Sequence, residues 1–120
     1  MIDFVWIANL DELKDGRMKT FNLGGVFEIM IARVGDKFYA SDKRCPHMGC
    51  DLSQGKLEGT VVTCPRHHSQ FDLTDGHVIR WTDWSGIKLA IGKILKSPRP
   101  LKTYKVNIEE NKIMVHLWKK

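Results

Sequence analysis

The 120-residue sequence contains only three cysteines, Cys45, Cys50 and Cys64. So few cysteines, in an odd number, exclude a disulfide-rich scaffold, which is stapled by several cysteine pairs. The sequence also lacks an apolar run of about 20 residues, the length that a membrane-spanning helix requires. Its start has neither the basic residues nor the apolar stretch of a secretory signal peptide. We therefore expect a cytoplasmic protein with no membrane partner.

The charge of the chain does not point to nucleic acid. Nineteen Lys and Arg outnumber fourteen Asp and Glu, for a net charge of +5, but the basic residues are scattered along the sequence. A nucleic-acid module would gather them on one motif. The preferred interpretation is a solvated basic surface, and the alternative is a surface that attracts an acidic redox partner. The length fits a single domain, residues 1–120, with one apolar core.

Two short stretches combine cysteine with histidine. The first reads Cys-x-His at Cys45 and His47, and the second reads Cys-x-x-His at Cys64 and His67. Thiolate and imidazole groups are common metal ligands, so two such stretches indicate one metal centre. No other part of the sequence combines the two residue types in this way.

The order of the ligands bears on which metal is bound. Structural zinc sites usually pair like with like, two cysteines in one stretch and two histidines in another. Each stretch here mixes the two types, which is what a [2Fe–2S] cluster with two cysteine and two histidine ligands requires. The residues alone leave a zinc-binding interaction module open as an alternative.

Further motifs make the chain resemble the small Rieske ferredoxins over nearly its whole length. These motifs surround the two stretches and follow them in the order of that family: Leu52-Ser53-Gln54-Gly55, Leu57-Glu58-Gly59, Gln70-Phe71-Asp72-Leu73, Thr74-Asp75-Gly76 and Pro98-Arg99-Pro100-Leu101-Lys102-Thr103-Tyr104. The resemblance implies a [2Fe–2S] cluster. Cys45 and Cys64 would then bind the inner iron, and His47 and His67 the outer iron.

The resemblance also implies a function. Such a protein is a one-electron carrier without catalysis of its own, which accepts an electron from a flavin-dependent reductase and passes it to a terminal oxygenase. An alternative within the same fold is a Rieske small subunit of a nitrite reductase complex. Many such subunits have lost cluster ligands, and the four retained ligand types favour the carrier. We expect a monomer or a weak oligomer.

Four further residues are candidates for tuning the cluster. The Ser69 hydroxyl could reach a cluster sulfur, and Met48 lies in the first loop. Phe71 stands where high-potential relatives carry a Tyr that donates to a cysteine sulfur. In relatives, the loop that contains Pro100 packs beside the cluster. Since Phe71 cannot donate a hydrogen bond, we expect a reduction potential of roughly −150 to 0 mV, in the lower part of the Rieske range.

Two residues of the loops depart from what the family often shows. High-potential relatives join a Cys at the position of Cys50 to a second Cys, whose position is Arg66 here. That bridge is therefore excluded, and we expect Cys50 to be a small buried residue. His68 is a rival to His67 as a ligand, and the Cys-x-x-His spacing of the family assigns His67. His68 stands where the family often has Gly, and we expect it to be exposed, the alternative being a residue that contacts the ligands.

The pattern of short apolar runs between turn residues predicts an all-β sandwich or small barrel. The cluster-binding loops would span about residues 43–76, as a subdomain of two hairpin loops. Asn9 is expected to cap a short helical turn. A helix-like insert is expected over about residues 81–96. The predicted strands are Phe4–Ile7, Lys19–Phe21, Val26–Val34, Lys37–Ala40, Leu57–Thr63, Val78–Arg80, Tyr104–Ile108 and Lys112–Leu117.

Overall fold

The computed structural model describes residues 4–23, 27–46, 51–65, 68–80 and 99–116. Within these ranges every strand pairing is antiparallel, and the only helices are two short 3-10 helices, η1 (Leu10–Glu12) and η2 (Leu52–Gln54). Neither could cross a membrane, and the described ranges contain no helix that could. The prediction of an all-β fold is confirmed. The strands are β1 (Phe4–Asn9), β2 (Met18–Leu23), β3 (Phe27–Val34), β4 (Lys37–Asp42), β5 (Lys56–Glu58), β6 (Val61–Thr63), β7 (Gln70–Asp72), β8 (Val78–Arg80), β9 (Thr103–Glu109) and β10 (Lys112–His116).

The strands form two sheets. The larger has six strands in the order β1-β10-β9-β4-β3-β2, and the smaller has four in the order β5-β6-β7-β8. The smaller sheet is a meander of neighbouring strands, inserted in the chain between β4 and β9 of the larger sheet. This insertion contains both stretches that the sequence identified as ligand loops.

Strand β3 is buried on both of its faces, which explains its unbroken apolar sequence. Ile29 and Ile31 pack on one side, whereas Met30 and Ala32 pack on the other, and all four are 0% exposed. The first side belongs to an apolar cluster inside the larger sheet, here called the sheet cluster: Ala8, Leu13, Ile29, Ile31, Phe38, Ala40, Ile113 and Val115. The second side belongs to what we call the cysteine cluster: Met30, Ala32, Cys45, Leu52, Val62, Cys64, Phe71, Leu73 and Leu101.

The sequence prediction of one strand over Leu57–Thr63 is wrong. The segment forms a tight hairpin, in which Lys56 pairs with Thr63 and Glu58 pairs with Val61. The chain reverses at Gly59, whose φ of +58° is in the left-handed region that glycine adopts without strain. The apolar residues on either side of Gly59 therefore belong to two strands rather than to one.

The other strand predictions that fall on described residues agree with the structure to within a few residues at their ends. Asn9 precedes η1 as predicted, and its backbone N–H donates to the Glu12 carboxylate at 2.9 Å. The insert expected over about residues 81–96 lies outside the described residues.

Gly55 provides a test of how closely the first loop packs on the smaller sheet. A Cβ atom at this position would lie 1.9 Å from the backbone oxygen of Thr63, although the φ of −88° is open to any residue. We expect Gly55→Ala to lower the free energy of unfolding by more than about 2 kcal/mol, because backbone atoms must move to admit the methyl group. Chemical denaturation measures the change.

Gly16→Ala is the matched control for this substitution. Gly16 has a φ of +79°, and a Cβ atom added there would meet nothing within 4 Å, so its replacement introduces conformational strain alone. We expect that variant to lose about 1 kcal/mol. Equal losses in the two variants would contradict the close approach at Gly55.

Candidate metal centre

The first loop is held at its base. Arg44 and Asp51 form an isolated antiparallel bridge across it, and the Lys43 carbonyl accepts a hydrogen bond from the Leu52 N–H at 2.9 Å. The Lys43 ammonium lies 3.7 Å from the Asp51 carboxylate. Each contact joins a residue before the loop to one after it. The backbone that leads into Cys45 is therefore fixed to the backbone that leaves the loop.

The second loop is closed by backbone hydrogen bonds around Cys64. The Cys64 N–H donates to the Ser69 carbonyl at 2.8 Å, and the Cys64 carbonyl accepts from the His68 N–H at 3.1 Å. Thr63, which directly precedes this loop on β6, pairs with Gln70, which begins β7 after the loop. Cys64 thus occupies a defined position at the end of β6.

The two cysteines reach the same apolar site from these two separate loops. Cys45 is 2% exposed and Cys64 is 0% exposed, and both belong to the cysteine cluster. The cluster also contains Phe71, Leu73 and Leu101, which shield the site from water. Buried sulfurs on two clamping loops suit an iron–sulfur cluster, whose potential depends on burial and on contacts to the sulfurs.

The structure tests only part of the predicted ligand set. His47, His67 and Met48 lie outside the described residues, so their roles stay predictions. Among the residues that are described, no group of three or more His, Cys, Asp or Glu is arranged to hold a metal ion. This search could not include His47 and His67, because these two of the four predicted ligands are not among the described residues.

The other predicted tuning residues differ in their burial. Ser69 and Phe71 are both 0% exposed, and Phe71 packs in the cysteine cluster. Pro100 is exposed, whereas the next residue, Leu101, is 2% exposed and lies in the cysteine cluster. Leu101 is the part of this loop that forms a wall of the site, and the sequence analysis did not single it out.

His68 is exposed, as predicted, and has a left-handed backbone with a φ of +60°. This conformation explains why glycine suits the position. The Arg80 Nε donates to the His68 carbonyl at 3.1 Å, so strand β8 supports the second loop from outside.

The turn between β7 and β8 is ordered by two carboxylates. Asp72 accepts from the Thr74 N–H at 2.9 Å and from its hydroxyl at 2.7 Å, and these bonds lower the pKa of Asp72. The His77 backbone N–H and ring lower the pKa of Asp75 in the same way. Asp72 therefore shapes the turn that follows the second loop.

A polar pair that the sequence analysis did not predict lies beside the first loop. The Tyr104 hydroxyl donates to the Asp42 Oδ1 at 2.5 Å. Burial raises the pKa of Tyr104, and the Asp42 carboxylate raises it further, so the hydroxyl keeps its proton. The partners are 62 residues apart in the chain, and no local sequence signal joins them.

Comparison with known proteins agrees with this geometry. The sequence model of the Rieske [2Fe–2S] domain matches residues 3–105. The ferredoxin component of the naphthalene 1,2-dioxygenase/salicylate 5-hydroxylase systems of Ralstonia sp is 31% identical over 116 residues, which are 93% of this chain and 95% of the relative.

Two solved structures extend the agreement to the fold. The ferredoxin of carbazole 1,9a-dioxygenase from Nocardioides aromaticivorans IC177 superposes with a TM-score of 0.76 at 28% identity, over 94% of this chain and 96% of that one. A chain in a complex of reduced oxygenase and oxidized ferredoxin in carbazole 1,9a-dioxygenase gives a TM-score of 0.77 at 26% identity, over 98% and 95% of the two chains. With two buried cysteines supplied by two loops of an all-β fold, and a family match over most of its length, the chain belongs to the Rieske [2Fe–2S] domain family.

Proposed function

We propose that this protein carries single electrons from a reductase, which we expect to be flavin-dependent, to a terminal oxygenase. The observation that carries the proposal is the burial of Cys45 and Cys64, from two separate loops, in one apolar cluster. The relatives support it, because they include ferredoxin components of dioxygenase and monooxygenase systems. The structure of an oxygenase and a ferredoxin in one complex also supports it.

The cluster would be held by Cys45 and Cys64 as thiolates and by His47 and His67 through their imidazoles. When bound, it supplies reversible one-electron chemistry. The chain's own part is to keep water from the sulfurs and to fix the two loops. Two thiolates without a metal would be costly in so apolar a site, since buried charge needs a compensating partner. The donor set therefore fits a cationic metal centre.

The family match favours the iron–sulfur cluster over the zinc-binding interaction module. The chain is an electron-transfer component, and the chemistry on an organic substrate belongs to its partner. We assign it no catalytic residue.

We also propose that the protein functions in the cytoplasm. Thiols are kept reduced in that compartment. Ligation by Cys64 needs a reduced sulfur, so a reducing environment favours the loaded state.

The ligand assignment is tested by replacing each cysteine in turn. We expect Cys45→Ala and Cys64→Ala to lose the two irons per chain and the rhombic EPR signal of the reduced cluster, because each removes a thiolate ligand. Cys50→Ala is the matched control and should keep both. Metal analysis and low-temperature EPR on anaerobically purified protein, reconstituted with a thiol reductant, measure the outcome. Iron retained by Cys64→Ala, or zinc in place of iron in the unmodified chain, would refute the assignment.

The low potential is tested at Phe71, which is fully buried among the residues that line the cysteines. We expect roughly −150 to 0 mV for the unmodified protein. Phe71→Tyr should raise the potential, because a hydroxyl that donates to a cluster sulfur stabilises the reduced state.

Phe71→Leu is the control for the altered packing at this position. It changes the side chain without adding a donor and should shift the potential less than Phe71→Tyr does. EPR-monitored redox titration measures all three proteins. An unmodified potential above about +200 mV would contradict the argument.

A further inference from the structure

The segment Leu101–Tyr104 contacts the chain on both sides of the proposed cluster site. It runs from the loop that contains Pro100 into the start of strand β9. We call it the strap. Its described contacts reach the turn that follows the second loop and the strand that precedes the first loop.

The first end of the strap is fixed to the turn after the second loop. The Leu101 N–H donates to the Gly76 carbonyl at 2.8 Å. The approach is so close that a Cβ on Gly76 would lie 1.9 Å from the Leu101 oxygen. The Leu101 side chain is buried in the same apolar cluster as Cys45 and Cys64. A change in the position of Leu101 would therefore alter the packing of the cluster that contains both cysteines.

The other end of the strap holds Asp42, the last residue of β4, three positions before Cys45. The Asp42 N–H donates to the Lys102 carbonyl at 2.9 Å. The Asp42 carboxylate accepts from the Tyr104 hydroxyl at 2.5 Å. Both the backbone and the side chain of Asp42 are thus bound by the strap.

The strap also pairs with β4 as the start of strand β9. The ladder between β4 and β9 consists of two residue pairs, Ala40 with Tyr104 and Ser41 with Thr103. The contact between Tyr104 and Asp42 continues this short ladder toward the first loop. Since burial raises the pKa of Tyr104, its hydroxyl remains a donor throughout the physiological range.

We propose that Tyr104 is a positioning residue for the cluster, and that its hydrogen bond to Asp42 fixes the start of the first loop relative to the second loop. The inference rests on the proposed ligands Cys45 and Cys64. Tyr104 itself would touch neither the iron nor the sulfurs. It acts through Asp42 and the backbone that leads to Cys45.

The experiment compares the iron-loaded chain with its Tyr104→Phe variant, which lacks only the hydroxyl. We expect Tyr104→Phe to lose iron to a chelator about tenfold faster, the effect of one lost hydrogen bond to a charged group. We also expect faster amide hydrogen exchange in residues 42–46. Bleaching of the cluster absorbance and exchange mass spectrometry measure the two effects.

Two further variants separate this hydrogen bond from general damage. Asp42→Asn keeps an oxygen that can accept from Tyr104, and it should release iron within about twofold of the unmodified rate. Tyr39→Phe makes the same chemical change at a half-buried tyrosine that packs against the cysteine cluster, and it should leave both measurements unchanged.

Unchanged exchange in residues 42–46 of Tyr104→Phe, or equal iron loss from Tyr104→Phe and Tyr39→Phe, would overturn the positioning role. An unmodified chain that binds no iron after reconstitution would refute the proposed function instead. The exchange comparison would still decide whether Tyr104 holds the first loop.

Discussion

This structure depends on one constraint: two cysteine sulfurs, from two separate loops, must be buried in the same apolar site. Cys45 and Cys64 are almost fully buried, and apolar side chains from both sheets surround them. Such a site cannot be built by either loop alone. The smaller sheet supplies Val62 and Phe71, and strand β3 of the larger sheet supplies Met30 and Ala32. The fold can therefore be understood as two layers that meet where the sulfurs lie.

Close backbone approaches hold these layers and loops in place. Gly55 comes so near to Thr63, and Gly76 to Leu101, that neither position has room for a Cβ atom. Charged groups brace the base of the first loop, with Lys43 between Glu28 and Asp51. Partly exposed ion pairs of this kind contribute little energy individually. The positions of the loops therefore depend mainly on the close backbone contacts.

The sequence allowed the kind of metal centre, a [2Fe–2S] cluster, to be predicted because ligand chemistry is local, whereas the individual ligands stay predictions. Cys45 and Cys64 each stand beside a histidine at a spacing that few other sites use, and the strands follow from apolar runs between turn residues. Contacts between distant segments were not predictable in this way. The pair formed by Tyr104 and Asp42, and the burial of Leu101 rather than Pro100, depend on how the strap crosses the loops. The hairpin of β5 and β6 was missed because a single glycine reverses an otherwise strand-like run.

Strand β3 has a consequence for the way in which this protein would come apart. Its alternate side chains belong to two different apolar cores, so neither core can open without exposing half of the same strand. Loosening of the sulfur-bearing side should propagate into the larger sheet, and the chain should unfold as one cooperative unit. Global unfolding of a carrier built in this way would release its cofactor, because the site that holds the cofactor opens in the same step.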